Sequence, residues 1–528
     1  MKERDFNVGR SAIYAEHGIA ATAHPQATLA AIDVLRAGGN AVDAAIAACA
    51  LLSVVEPHST GIGGDCFVLF SPRAGKPIGL NGSGRAPAAA TLDWYRERGI
   101  DEIKVETPHA ATVPGAVDAW CRLAADHGTM PIVDLLRPAI RAAEDGYVVQ
   151  PRVAHDWAAL APKLALDPNT RRIFLPDGGA PRAGTRHCQP ALAETLRRIA
   201  AQGRDGFYTG SVAEDIVARL RELGGLHTLD DFAETACTYV EPISTSYRGY
   251  DVYEIPPNGQ GITALIMLNA LAGYELGDDR YGAADRIHLI AEVAKAAYAR
   301  RNDLIGDPDF VDVPVARLLS AREAEGIRSR IALERALPAD TWDDGRHTDT
   351  TYLAVVDRDR NAVSFINSLF SGFGTGIVGP KSGVVLQNRG SSFRLIEGHP
   401  NVIEPRKRPM HTIIPGMLGK DGRAVMPFGV MGGHFQPVGH TLLLTNMLDL
   451  GLDPQEALAA PRSFAFDGEL RLEAPIPEKV AEDLRCRGHN IVRLAAPVGG
   501  GQAIWIDHER GVLIGGSEPR KDGCALGC

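Results

Sequence analysis

The sequence predicts an α+β fold with helices layered on sheet, and three observations carry that prediction. Up to residue 339 the long regular segments have helical spacing. From Thr350 onward short apolar runs alternate with Gly, Asn and Asp, as strands alternate with turns. A polar seam, Asp340 to Asp349, divides the two textures, and no period of about 20–50 residues repeats, which excludes a solenoid.

Taken in order, the first elements lie in His24–Pro57. Leu29, Ile32 and Leu35 recur at helical spacing, the Gly38-Gly39 pair ends that helix, and a second helix runs from Asn40 to Val55. The second is almost wholly small and apolar, so it is expected to be buried on most sides. "TGIGGDCFVLFSP" is a glycine turn feeding a buried strand. "MPIVDLLRPAIRAAEDG" and "DRIHLIAEVAKAAYARRNDLIG" are amphipathic helices and read as scaffold. Beyond Thr350, strands are expected at Tyr352–Val356, Ala362–Ile366, Gly383–Leu386, Ala424–Phe428 and Ala503–Ile506. Helix returns at Gly439–Leu450 and Asp453–Ala459.

Composition narrows the class. The chain has 528 residues, 45% hydrophobic and 23% charged, which suits a soluble globular protein of two to four domains. A formal charge of −10 argues against nucleic acid or an anionic membrane as the main partner. The densest basic run, "EPRKRP" at Glu404–Pro409, is boxed by prolines and reads as a structured loop. The eight cysteines show no C-x-x-C and no disulfide-framework spacing. The N-terminus lacks an apolar signal core and no run is long enough to span a bilayer, so a cytoplasmic location is expected.

Few residues could carry chemistry. A Thr hydroxyl is a poor nucleophile unless a base adjoins it, and an α-amino group freed by chain cleavage can be that base. Thr350 and Thr351, at the start of a strand and after a polar segment, meet this requirement, although Thr is also common in strands. Gly432-Gly433 in "FGVMGGHFQP" could aim backbone N–H groups at an oxyanion, or form a tight strand-to-helix turn. "SGFGTGIV" is a second, equally ambiguous glycine loop. No P-loop, no H-E-x-x-H and no G-x-S-x-G occurs. His24, His58, His109, His411 and His434 are isolated in sequence, so no metal centre and no cofactor are expected.

Seven collinear stretches, from "HPQATLAAIDVLRAGGNAVDAAIAACALLSVVEPHSTGIGGDCF" through "IPPNGQGITAL", "GDPDFVDVP", "DTTYLAVVDRDRNAVSF", "FGTGIV" and "KRPMHTIIP" to "VMGGHFQPVGH", resemble the γ-glutamyltransferase family of N-terminal nucleophile hydrolases. The likeness spans nearly the whole chain. It implies a four-layer αββα sandwich and a precursor that cuts itself between Asp349 and Thr350, leaving a large subunit, 1–349, and a small one, 350–528. It further implies Thr350 as nucleophile, Ser368 as the hydroxyl supporting it, and Gly432 and Gly433 as the oxyanion hole. The oligomeric state stays open, a dimer of heterodimers included.

Several positions depart from the family pattern. Ser83 stands where typical members carry the Arg that holds the donor carboxylate, with Arg85 two residues on. Phe370 replaces an Asn, Arg389 and Ser392 fall at the Gln and Asp positions, and His411-Thr412 replaces a Ser pair. Losing the acid removes the partner of a donor α-ammonium, while Arg85 and Arg389 suit a carboxylate unless protein carboxylates claim them. The connector between "SSF" and "KRP" is short, which implies no flap over the donor and easier access for water. The expectation is an autoprocessed amidohydrolase that passes the acyl group of a small carboxylate-bearing amide to water. Oxamate-type and γ-glutamyl substrates such as glutathione are both admitted. The alternatives are γ-glutamyl transfer proper, a cephalosporin or glutaryl acylase, and an uncleaved relative that only binds a small acid.

Overall fold

A computed structural model describes residues 9–338 and 350–528. Two seven-stranded antiparallel sheets form its centre. One runs Cys524–Gly527, Ile19–Thr22, Thr351–Val356, Ala362–Ser368, Asp65–Ser71, Ile78–Gly82, Thr238–Val240. The other runs Ile13–Ala15, Val512–Ser517, Gly500–Asp507, Arg423–Met431, Gly416–Lys420, Tyr250–Glu254, Ile243–Tyr247.

Side-chain alternation sorts these strands into layers. Along Thr351–Val356, Tyr352, Ala354 and Val356 enter an apolar cluster shared with Met417, Met431 and Ile504 of the second sheet. Leu353 and Val355 face the other way, into a helical core that includes Ala41–Val55. Helices Gly261–Leu271, Ala283–Leu304 and Gln436–Leu448 cover the far side of the second sheet. The result is helix, sheet, sheet, helix, the four-layer sandwich expected. A strand buried on both faces explains why "TYLAVV" is apolar almost throughout.

The helix Ala41–Val55 is buried at every position. Its start is set by a capping box: the Asn40 side chain accepts from the amides of Val42 and Asp43, and Asp43 Oδ2 accepts from the Asn40 amide at 2.9 Å. Among the described residues no helix is long and apolar enough to cross a membrane. All eight cysteines are free, and burial pushes the Cys49 and Cys66 thiols up, which leaves them inert.

Two expectations are corrected. Gly383–Leu386 is not a strand: Gly383 has φ +70°, and only isolated bridges form, Val378 with Val385 and Gly63 with Leu386. Nor does the polar seam separate helix from sheet, since each sheet takes strands from both sides of it. The strands Ile19–Thr22, Ile78–Gly82 and Tyr250–Glu254 are short pieces, too brief to show a period of their own. "EPRKRP" is indeed a structured loop, in which Lys407 Nζ pairs with Glu404 at 2.7 Å and the Arg408 amide donates to Asp307 at 2.7 Å.

The two sheets meet where the Tyr352 ring lies over Gly429. The Tyr352 hydroxyl is tied to Ser364 Oγ at 2.8 Å, and a Cβ on Gly429 would stand 2.4 Å from the ring. Because the ring is anchored at its far end, Gly429→Ala is predicted to cost about 1–3 kcal/mol of overpacking. A lowered denaturant midpoint checks this, and an unchanged midpoint contradicts it.

Candidate active site

The site forms at one end of the first sheet, where register lines up polar residues. Thr351 pairs with Asn367, so Thr350 lies beside Ser368, and Ser368 pairs with Asp65 on the next strand. Thr350 Oγ1 and Ser368 Oγ share a hydrogen bond of 3.0 Å, and Ser368 Oγ also accepts from the Phe370 amide at 2.8 Å. Both threonines are buried, but their roles separate. Thr351 faces the helical layer and donates to Glu56 Oε2 at 2.6 Å, whereas Thr350 faces the space between the sheets. Burial raises the Glu56 carboxyl above its usual range, against the pull of His58 and the Thr351 bond.

The second sheet supplies the facing wall. Strand Arg423–Met431 ends in Gly432 and Gly433, with φ of +129° and +58°, before helix Gln436–Leu448 begins. A side chain at Gly432 would be strained by that φ and would sit 3.1 Å from the Gly499 Cα. Neither glycine amide donates to an acceptor among the described residues. Gln260 steadies the turn, its Nε2 donating to the Gly433 and Thr412 carbonyls at 3.0 and 2.7 Å while its Oε1 accepts from Arg301 at 2.8 Å.

Arg389 lies between these two walls, wholly buried. Its guanidinium stacks 3.8 Å above the Phe370 ring, and Nη1 donates to Thr412 Oγ1 at 2.8 Å. Nε and Nη2, which make up the side-on fork of the guanidinium, have no acceptor among the described residues. Burial draws Arg389 down to about 9, with Asp65 the charge that opposes the shift. Phe370 is held at φ +80°, which costs a non-glycine residue on the order of 1 kcal/mol or more. The arginine stack and the Ser368 bond hold it there.

Asp65 is the hub. Its Oδ1 accepts from the Gly84 amide at 2.9 Å and Gln387 Nε2 at 2.7 Å, and its Oδ2 from His411 Nε2 at 2.8 Å. Burial and the Arg389 cation hold His411 down to about 4, against the attraction of Asp65. His411 is therefore neutral, with its proton on Nε2 and its Nδ1 facing the Ile413 amide at 3.4 Å.

The expected residues fall into two groups. Thr350, Ser368, Phe370, Arg389, His411 and Thr412 come together, with Gly433 joined to Thr412 through Gln260 and Gly432 next to it in the chain. Arg85 does not join them. Its guanidinium is spent on Asp309 at 3.0 Å, Asp307 at 3.6 Å and the Arg406 carbonyl at 2.9 Å, beside a separate cavity. The carboxylate-binding reading of Arg85 is corrected accordingly: its charge is already answered. Ser392 is half-buried on the turn Arg389–Ser392, where its carbonyl accepts from Asn401 at 2.6 Å, and no side-chain bond links it to the group. Asp349 lies outside the described residues.

Asp65, Gln387 and Gln260 were missed, although Asp65 and Gln260 sit inside quoted motifs; nothing in their spacing says that they converge. The histidine survey also missed a buried group away from this site, where His288 Nδ1 meets His489 Nε2 at 2.8 Å near Glu292. Lys295 Nζ already stands 2.6 Å from that carboxylate and supplies its counter-charge.

His411 sets a pH dependence. With a folded value of about 4 and an ordinary value of 6.5, the unfolded chain binds more protons between those limits, so stability falls as pH drops through that window. From pH 7 to pH 5 the loss attributable to His411 is predicted to be on the order of 1–2 kcal/mol. Denaturant midpoints of wild type and His411→Gln at both pH values check this: the variant should lose less.

Comparison with known proteins gives the family. The family model for gamma-glutamyltranspeptidase matches residues 27–528. The glutathione hydrolase-like YwrD proenzyme of Bacillus subtilis is 39% identical over 521 residues, covering 96% of this chain and 97% of that one. The oxamate amidohydrolase proenzyme of Klebsiella pneumoniae is 35% identical over 526 residues, covering 97% and 98%. A crystal structure of cephalosporin acylase from Bacillus halodurans superposes with a TM-score of 0.94 at 41% identity, covering 100% of this chain and 99% of that one. Fold, motifs and relatives converge: the chain belongs to the gamma-glutamyltranspeptidase family of N-terminal nucleophile hydrolases.

Proposed function

We propose that this enzyme is made by cleavage between Asp349 and Thr350 and hydrolyses the amide of a small substrate whose acyl half carries a carboxylate and no ammonium group, an oxamate-type monoamide. The observation that carries the reading is Arg389, a buried guanidinium with Nε and Nη2 unused. Leaving such donors unsatisfied costs about 1–3 kcal/mol each, and a carboxylate accepting both removes that cost. A substrate α-ammonium finds no comparable welcome. Asp65 already accepts three hydrogen bonds, and the Arg389 cation already interacts with its charge.

The geometry supports the following steps. The freed α-amine of Thr350 takes the Oγ1 proton as Oγ1 bonds the amide carbon, with Ser368 orienting the hydroxyl. The carbonyl oxygen becomes an oxyanion facing the Gly432 and Gly433 amides. The C–N bond then breaks and the amine departs with the proton held on the α-ammonium. Water, deprotonated by the same α-amine, adds to the acyl-Thr350 ester, and collapse returns the acid and the free hydroxyl.

A second reading, hydrolysis of γ-glutamyl compounds, draws support from the glutathione hydrolase-like relative. It requires a partner for the α-ammonium that the Arg389 pocket does not offer.

Two outcomes are predicted. Thr350→Ala abolishes both chain cleavage and turnover while Thr350→Ser keeps some of each, by gel and ammonia release; full activity in the alanine variant would move the nucleophile elsewhere. Arg389→Met, which keeps the volume, lowers kcat/KM for ammonia release from oxamate about a hundredfold or more. Efficient turnover of a γ-glutamyl anilide that is indifferent to this substitution would favour the second reading.

A further inference from the structure

The strands that deliver Thr350, Asp65 and Gly432 to one end of the sandwich have their opposite ends close together as well. There the turn after Val356, the turn after Ser71, the start of Arg423–Met431 and the turn after Asp507 converge on a cavity of about 340 Å³. Its lining includes Arg73, Arg358, Arg360, Arg423 and His508, with Asp359 as the sole carboxylate.

None of the four guanidinium groups takes part in an ion pair among the described residues, although the chain carries a formal charge of −10. Many arginines elsewhere are answered by a carboxylate, as Arg462 is by Glu518 at 2.6 Å and Arg248 by Asp449 at 2.7 Å. Arg360 is oriented by carbonyls alone: Nη1 donates to Glu16 and Arg358, and Nη2 to Gly511 at 2.5 Å. The nearby Asp357 is committed to backbone and amide donors, accepting from the amides of Ala41, Asp359 and Asn361. Asn361 in turn accepts from the Arg73 amide at 2.9 Å, which holds Arg73 against the turn.

Four like charges on short, braced hairpin turns repel one another, and a multiply charged oxyanion relieves that repulsion while accepting from the planar guanidinium forks. We infer that this cavity binds a compact phosphate-type anion of about pyrophosphate size, free or carried by a nucleotide, at the end of the fold remote from Thr350.

Isothermal titration of the full-length protein at constant ionic strength, with pyrophosphate, ADP and sulfate in turn, tests this. One pyrophosphate or ADP per chain is expected, with sulfate far weaker. The arm that binds more tightly identifies the source, free or nucleotide-borne. Arg358→Ala/Arg423→Ala should weaken binding about tenfold or more, while Arg141→Ala, an exposed arginine outside the cavity, leaves it unchanged. Should the double variant not fold, Arg73→Ala alone is read the same way. No saturable binding at millimolar pyrophosphate, equal binding of sulfate, or undiminished affinity in the variants overturns the inference.

Discussion

The register that sets Thr351 opposite Asn367, and Ser368 opposite Asp65, is the constraint on which the site rests. A slip of one residue would turn Thr350 toward the helical layer and hand the inter-sheet space to Thr351. Burial on both faces prevents it, because Leu353 and Val355 fill one core while Tyr352 and Ala354 fill the other. The Thr351 bond to Glu56 adds a polar lock, fastening the residue next to Thr350 to the end of the buried helix Ala41–Val55. Two adjacent threonines thus acquire different fates from strand geometry alone.

Electrostatics then shape what can approach. Asp65 and Arg389 are both buried, and a charge so placed needs partners. Asp65 has its full set in Gly84, Gln387 and His411, while Arg389 has a stacking ring and one hydroxyl acceptor but an empty fork. That imbalance is the ground for the proposed anionic acyl group. His411, kept neutral by burial and by Arg389, serves Asp65 without adding a second cation.

Much of this was legible in the sequence, for identifiable reasons. Helices such as Ala41–Val55 and Ala283–Leu304 announce themselves through period, length and caps, and the hairpin after Thr350 through its turn residues. The short strands Ile19–Thr22 and Ile78–Gly82 were not legible: each is too brief to show a period, and the partners of the first lie hundreds of residues away. At the site, the collinear motifs singled out Thr350, Ser368, Gly432 and Gly433. They could not say that Arg389 would be left with an empty fork while Arg85, equally basic, would be consumed by Asp307 and Asp309. That difference arises from the packing of the Arg389–Ser392 turn against Phe370 and Thr412, and no local pattern encodes it.

The most direct test of the account is intact-mass and peptide mass spectrometry of the purified protein, fresh and after acid quenching during turnover of a carboxylate-bearing amide. The account predicts two polypeptides, the smaller beginning Thr350-Thr351-Tyr352, with the acyl adduct of the quenched sample on Thr350. A single uncut chain of 56.4 kDa, or an adduct on any other residue, would contradict it.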